Sequence, residues 1–239
     1  MSDYLPGYAF DRRSARYRDV ATGRYASRSR IVDLLEESVQ QSESRMQRLT
    51  VALYEQQLAP AVWLAAMRDE LRRAHLQYAA LGKGGFDRLT LADLGRIGAT
   101  LRQEYVKLVG TVGDVQTASL PQLLNRVRRH AGQARTEYFR TLRDVLAENE
   151  GGPVHIARRI LEPGAEHCKD CLRYYDEGWS VVELLIPPGE QCECGGNCRC
   201  KAIYHAVAAE ELGEWLGTKR QVIRQARGVT YDHVLGYAG

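Results

Sequence analysis

The chain has 239 residues, of which 44% are hydrophobic and 26% charged, the composition of an ordinary globular protein. No apolar run approaches the ~20 residues of a membrane-spanning helix, and the N-terminus lacks the apolar segment of a secretory signal. We therefore expect a chain made in a reducing cytoplasm, where clustered cysteines bind metal or act in catalysis more often than they form disulfides. The net charge of +3 is too small to indicate nucleic-acid binding by itself.

Residues 1–29 are predicted to form a basic N-terminal arm. Between positions 11 and 30 the chain has seven arginines against two aspartates, a local net charge of +5. The candidate binding residues of this segment are Arg12, Arg13, Arg16, Arg18, Arg24, Arg28 and Arg30. Such a segment can bind a phosphate backbone or an acidic protein surface, and it can equally be a solvated, poorly ordered tail. The sequence leaves both interpretations open.

Residues 30–150 have the periodicity of four long amphipathic helices. Hydrophobic residues recur every three or four positions, which places them along one face of each helix. The predicted stripes are Ile31, Leu34, Leu35, Val39, Met46, Leu49 and Leu53; Leu64, Met67, Leu71, Ala74 and Tyr78; Leu94, Ile97, Leu101, Tyr105, Leu108 and Val112; and Leu120, Leu123, Val127, Ala131, Ala134, Tyr138 and Val145. Such stripes need partners, so a bundle or a set of long helical hairpins is predicted.

Local signals mark the ends of these helices. The glycines of "GKGG" at 82–85 are expected to end the second helix. Thr90 is predicted as the N-cap of the third, with Asp93 three residues later near its positive end. Ser119 and Gln122 form a capping-box pattern at the start of the fourth.

The pattern changes after Pro153. Residues 151–206 consist of short segments with β-branched residues, punctuated by Gly and Pro, which predicts a small β-rich module. From Ala208 helical character returns, so residues 207–239 are predicted as a C-terminal helix and tail. The fold class is therefore mainly α, with a long-helix N-terminal domain, a zinc-stapled β-rich module and a C-terminal helix.

All six cysteines lie in the β-rich module. Cys168 and Cys171 form a C-x2-C pair, and after 22 intervening residues Cys194 and Cys198 form a C-x3-C pair. This is the spacing of a four-thiolate zinc site. A structural zinc ion would supply free energy that a module of about 50 residues lacks. Disulfides in an extracellular particle, and free or redox-active thiols, are the alternatives.

Four ligands complete a zinc site, so the cluster has more cysteines than one ion needs. The predicted ligands are Cys168, Cys171, Cys194 and one of Cys198 and Cys200. Cys192 is then the spare cysteine. His167 adjoins the first pair and is a candidate to replace a cysteine or to hydrogen-bond to one. An all-thiolate set disfavours a catalytic zinc, which keeps an open position.

Several short motifs of the module occur in a fixed order. After the C-x2-C pair come Gly178-Trp179, a turn at Pro187–Gly189, Cys194, and "NCRC" at Asn197–Cys200. This order resembles the C-terminal module of the minor head, or head-morphogenesis, proteins of tailed phages, the Mu F-like family. Upstream, "YRDVATGRYASRS" before a long helical region is similar to the N-terminal part of that family. Many members have His-Pro before Asn-Cys-Arg-Cys, where this chain has Gly195-Gly196, so the family's histidine is absent here.

The resemblance implies a non-enzymatic, structural component of the virion. Members of the family are few-copy head proteins associated with the portal and with head morphogenesis, DNA packaging or delivery. The implied partners are the phage portal or the major capsid protein, and packaged DNA for the basic arm. No membrane and no small-molecule substrate is implied. The implied location is the virion, after assembly in the host cytoplasm.

Two other functions compete with this one. A zinc-ribbon nucleic-acid-binding regulator would use the basic arm, but acidic residues outnumber basic ones across residues 166–201. An enzyme would need a catalytic motif, and the six histidines form no H-E-x-x-H, nor does the chain contain G-x-S-x-G or a phosphate-binding loop. We expect no catalytic activity.

Overall fold

The computed structural model describes Leu5, residues 7–148 and residues 153–216. The chain divides into two compact units. The helical unit comprises the chain up to Leu142 together with Gly195–Asn197, and the cysteine unit comprises Arg143–Cys194 and the chain from Cys198 onward. The fold is mainly helical with a small β module, as the sequence predicts.

Four long helices follow one another along the chain. They are α1 (Arg28–Tyr54), α2 (Pro60–Lys83), α3 (Leu91–Gly113) and α4 (Leu120–Ala147). The predicted start of α3 is confirmed, because the Thr90 side chain accepts a hydrogen bond from the Asp93 N–H and the Asp93 side chain accepts one from the Thr90 N–H. This reciprocal pair satisfies two backbone donors that the first turn of a helix leaves without partners.

The apolar stripes of the long helices form the core of the helical unit. Helix α2 contacts both α1 and α3, and its Trp63, Met67 and Leu71 are fully buried. The neighbouring helices contribute the buried side chains Leu35, Val39, Met46, Ile97, Leu108, Leu123, Val127 and Tyr138. Leu94 departs from the predicted stripe of α3, since it is 42% exposed. The adjacent Asp93 is buried in its place, where it accepts the capping hydrogen bonds.

Buried charges share this interior. Glu137 of α4 accepts hydrogen bonds from Arg96 of α3 and from Arg140, each at 2.8 Å. Glu104 of α3 is likewise buried and hydrogen-bonds to His130 of α4. Buried carboxylates persist in a protein core when they are paired and hydrogen-bonded. Hydrophobic periodicity did not predict the pairs Arg96–Glu137 and Glu104–His130, because their partners belong to different helices.

The N-terminal arm contains a β-hairpin that the sequence analysis did not predict. Strands β1 (Tyr8–Asp11) and β2 (Arg16–Asp19) pair antiparallel. Tyr17 is buried, and its hydroxyl donates to the Leu81 carbonyl of α2 at 2.8 Å. The ring of Phe10 packs edge-on against Tyr17 with centroids 5.0 Å apart. The aromatic pair therefore joins the two strands, and the buried hydrogen bond holds the hairpin to α2.

A three-stranded antiparallel sheet organises the cysteine unit. Strand β3 (Val154–Ile160) lies in the centre, between β4 (Ser180–Val181) and β5 (Lys201–Val207). Ile156 of β3 pairs with Val181 and is completely buried. The predicted β-rich module is confirmed, and β5 begins directly after the last cysteine.

Two short helices complete the cysteine unit. Helix α5 (Lys169–Asp176) starts within the C-x2-C pair, and no helix was predicted there from the sequence. Helix α6 (Leu212–Leu216) packs Leu212 and Leu216 against the sheet residues Ile156, Val181 and Val207. Residues 217–239, which belong to the predicted C-terminal helix and tail, lie outside the described residues.

Candidate metal centre

The first half of the cysteine cluster is built on the start of α5. Cys168 is the N-cap residue, with extended backbone angles (φ −71°, ψ 163°), and Cys171 lies in the first turn. Residues three apart in a helix share a face, so both thiols point towards the same region. Cys171 is 1% exposed, whereas Cys168 is half-buried.

The second half comes from the loop that leads into β5. It carries Cys192, Cys194, Cys198 and Cys200, with a single 3-10 turn at Gly195–Asn197 between the two inner cysteines. Polar contacts fix this loop to α5. Tyr174 donates its hydroxyl to the Gln191 carbonyl at 3.1 Å, and Asp170 accepts a hydrogen bond from the Glu193 N–H at 3.1 Å. These contacts bring the loop cysteines to the first pair.

The sulfur atoms lie as close together as the ligands of a single metal ion. The Sγ of Cys194 lies 3.6 Å from that of Cys168, 3.5 Å from that of Cys171 and 3.4 Å from that of Cys192. A zinc ion bound about 2.3 Å from four sulfurs in a tetrahedron separates them by about 3.8 Å. All six cysteines are free thiols, so the disulfide alternative does not describe this structure. The donor set fits a soft divalent cation.

The sulfur atoms form two overlapping groups, each of which could hold a metal ion. The four cysteines Cys168, Cys171, Cys192 and Cys194 have all their Sγ atoms within 4.8 Å of one another. Cys192, ranked as the spare cysteine, is a member of this group. Cys198 and Cys200, the two predicted candidates for the fourth position, form the second group with Cys171. Which of these sulfurs bind a metal stays a prediction.

Burial and mutual proximity make three of the thiols, those of Cys171, Cys192 and Cys194, weaker acids in the absence of a metal. The hydrogen bond to Cys198 and burial raise the pKa of Cys192 to about 12. Burial and the charge of Cys198 also raise the pKa of Cys171 and of Cys194. Crowded thiolates repel one another, and a divalent cation removes that repulsion by binding them as anions. Metal binding at this cluster therefore displaces protons.

A buried arginine borders the cluster and was not predicted from the sequence. Arg159 of β3 is 1% exposed, and its Nη2 lies 3.1 Å from the Sγ of Cys198 and 3.5 Å from that of Cys171. Its guanidinium also stacks over the ring of Tyr174 at 5.0 Å. Burial by itself lowers the pKa of Arg159, but the thiolates of Cys198, Cys200 and Cys171 raise it above its ordinary value. The guanidinium is a fixed positive charge for the sulfurs.

His167 lies at the edge of the cluster, as its position beside the first cysteine suggested. Its Nδ1 is 3.8 Å from the Sγ of Cys200, and its Nε2 is 3.0 Å from the Glu162 carbonyl oxygen. Since a neutral imidazole has one N–H and one lone pair, a bond donated by Nε2 leaves Nδ1 as an acceptor facing Cys200.

The arginines of the arm lie on and beside the β-hairpin. Exposed side chains are those of Arg12, Arg13, Arg18, Arg24 and Arg30. Arg16 and Arg28 are partly buried, and the Arg16 guanidinium lies over the Tyr25 ring, 4.9 Å from its centroid. Arg30 pairs with Glu37 at 3.8 Å in an exposed ion pair. The arm thus presents positive charge to solvent, and its binding to a partner stays a prediction.

Comparison with family models, with curated proteins and with solved structures found no match to this chain. None of the helices in the described residues combines the length and the apolar character needed to cross a membrane. Among the described residues, the candidate functional site is the cluster of six thiols, one imidazole and one buried guanidinium.

Proposed function

We propose that the cysteine cluster holds zinc in a structural role. The support is the convergence of Cys168, Cys171, Cys192 and Cys194, because four thiolates in a tetrahedron are the usual ligand set of structural zinc. Such a set leaves no open position for a water or a substrate, which a catalytic zinc requires. Zinc binding then stabilises the fold of a unit whose apolar cluster is small.

We further propose that the protein is a non-enzymatic minor head protein of a tailed phage or prophage, associated with the portal and with head morphogenesis, DNA packaging or delivery. One observation carries this proposal. The two segments that carry the resemblance, the C-x2-C pair and the loop ending in "NCRC", are the same two segments whose sulfurs meet in the cluster. The long helices that precede the cluster also suit the resemblance.

The test of this role is the composition of the virion. Tailed-phage particles produced by cells that make this chain are purified by density gradient and measured by quantitative mass spectrometry. We expect the chain in the particles at a few copies, far below the major capsid protein, and cross-linked to the portal. A chain that is abundant in the lysate but missing from the particles contradicts the proposal.

A zinc-ribbon nucleic-acid-binding regulator is the second candidate, favoured by the exposed arginines of the arm. Such a regulator would bind duplex DNA with sequence preference, and its affinity would fall steeply as salt rises. A minor head protein that binds packaged DNA through the same arm would also lose affinity as salt rises, but it would bind all DNA sequences equally well. Competition between specific and random duplexes at two salt concentrations therefore separates the two functions.

A further inference from the structure

The six thiols form two overlapping groups instead of one. In each group every Sγ lies within 4.8 Å of the others. The first group is Cys168, Cys171, Cys192 and Cys194, and the second is Cys171, Cys198 and Cys200. A single tetrahedral ion uses the first group and leaves two buried cysteines, Cys198 and Cys200, without a metal.

Cys171 is the thiol that the two groups share. Its Sγ lies 3.5 Å from that of Cys194 in the first group and 3.8 Å from that of Cys198 in the second. A thiolate sulfur has several lone pairs, so it can bind two soft divalent ions at once. The position of Cys171 in the first turn of α5 places its sulfur between the groups, buried from water.

His167 lies beside the second group, next to Cys200. Its Nδ1 lies 3.8 Å from the Sγ of Cys200, and its Nε2 is at hydrogen-bond distance, 3.0 Å, from the Glu162 carbonyl. Histidines that bind metals commonly donate the other ring N–H to a carbonyl in this way, which fixes the tautomer and the ring orientation. Three sulfurs and one imidazole nitrogen are a standard zinc ligand set.

A buried guanidinium provides a hydrogen bond to the second group. Arg159 Nη2 is a donor only, so the Sγ of Cys198 at 3.1 Å accepts its hydrogen bond. The same Nη2 lies 3.5 Å from the Sγ of Cys171, the shared thiol. Hydrogen bonds of this kind orient a ligand and support it when a metal binds.

We propose that the cluster binds two zinc ions that share the Cys171 thiolate as a bridging ligand. Cys168, Cys192 and Cys194 complete the first ion, and Cys198, Cys200 and His167 complete the second. All six cysteines and the adjacent His167 are then metal ligands. This inference rests on the proposed zinc-binding function and extends it from one ion to two.

The number of ions is measured directly by native mass spectrometry of the full-length chain, produced with added zinc and desalted. We expect two zinc ions retained per chain. Retention of one ion overturns the second site and leaves the single-zinc proposal standing. Retention of none overturns both, so the two failures are distinguishable.

A matched pair of histidine variants locates the second ion. His167→Ala is expected to retain one zinc ion, because the first group keeps its four sulfurs. His205→Ala removes an exposed histidine of the same unit that stacks on Trp215, and it is expected to retain two. Retention of two ions by His167→Ala overturns the assignment of this ligand.

Cobalt(II) tests the bridge without any substitution. When two cobalt ions share a thiolate their spins couple, so the electron paramagnetic resonance signal should rise up to one equivalent of added cobalt and fall towards the second. A signal that grows in proportion up to two equivalents contradicts a bridging Cys171.

Discussion

The guanidinium of Arg159 and the thiols around it depend on each other. A cation buried to 1% exposure is stable only beside negative charge, and its two hydrogen-bond acceptors are the sulfurs of Cys198 and Cys171. In return the guanidinium donates to sulfurs that would bind the proposed zinc as thiolates. Such partners of ligands tune metal affinity without touching the metal.

We therefore expect Arg159→Met to weaken zinc binding by roughly 10- to 100-fold. The substitution keeps an apolar stem of similar length and removes the donor to both sulfurs. Competition with a chromophoric zinc chelator measures the affinity. The matched control is Arg158→Met on the same strand, since Arg158 is half-buried and lies over the ring of Tyr175 at 5.1 Å. Equal affinities for the two variants contradict this role of Arg159.

The geometry of the cysteine cluster shows what residue spacing can and cannot predict. The C-x2-C pair was found from sequence because two residues three apart reach one point whatever follows them. The closeness of Cys192 to that pair was not predicted, because its position depends on a bend in the loop, which the contacts of Tyr174 and Asp170 fix from another element. Arg159 gave no signal at all, since nothing in the sequence distinguishes it from the half-buried Arg158 beside it.

At the scale of elements, long periodic segments were predictable and short ones were not. The four long helices repeat the same hydrophobic period over 23 to 28 residues, and α3 also has its own capping box. Helix α5 has only eight residues, too few for a period to appear. The hairpin of the arm has four-residue strands whose only deep anchor is Tyr17. Tertiary contacts, not local pattern, determine both.

The buried ion pairs between long helices make the stability of the helical unit depend on pH. Glu104 is 3% exposed. Burial by itself raises its pKa, but the hydrogen bond to His130 and the neighbouring Lys107 lower it to about 2. A carboxyl group whose pKa is lower in the folded than in the unfolded chain stabilises the fold at pH values above its unfolded-state pKa, about 4.5 for Glu104. That stabilisation is lost as the pH falls from about 4.5 to about 2.

We expect Glu104→Gln to lower the free energy of unfolding by about 3 kcal/mol at pH 6, the equivalent of its pKa shift. The difference from the unmodified protein should shrink as the pH falls below 4.5 and vanish near pH 2. Urea unfolding followed by the helical circular dichroism signal at several pH values measures it.

The control for this variant is Glu37→Gln on α1. Glu37 forms only an exposed ion pair, with 60% of its side chain accessible, and such pairs contribute little to stability. We expect the free energy of unfolding of Glu37→Gln to equal that of the unmodified protein at every pH. A Glu104→Gln variant whose deficit is the same at pH 6 and near pH 2 contradicts the assigned pKa shift.

The whole molecule combines two units that are stabilised in different ways. The helical unit has long apolar stripes and buried ion pairs between its helices. The cysteine unit has a small apolar cluster of five buried residues and, beside it, the cysteine cluster. The sequence indicated a change of pattern after Pro153, whereas the cysteine unit begins at Arg143, within α4. The sequence did not predict that Gly195–Asn197, inside the cysteine loop, groups with the helical unit.

Removal of the metal is therefore expected to unfold the cysteine unit and spare the long helices. Structural zinc sites contribute on the order of 10–16 kcal/mol of apparent binding free energy at neutral pH, more than a unit with so small an apolar cluster retains without it. Hydrogen exchange after treatment with a chelator should show lost protection across β3, α5 and β5. The backbone amides within α1, α2 and α3 should keep theirs, since buried apolar side chains hold those helices.

The matched variants for this experiment are Cys171→Ser and Ser180→Cys. Cys171→Ser removes a thiol common to both groups of sulfurs, so its exchange pattern should resemble that of the chelated protein even with zinc present. Ser180→Cys adds a thiol on β4, apart from the cluster, and should exchange like the unmodified protein. If the chelator leaves β3 and β5 protected, the zinc is not what holds this unit together. If it also exposes α1 to α3, the two units do not fold independently, and zinc binding stabilises the whole chain.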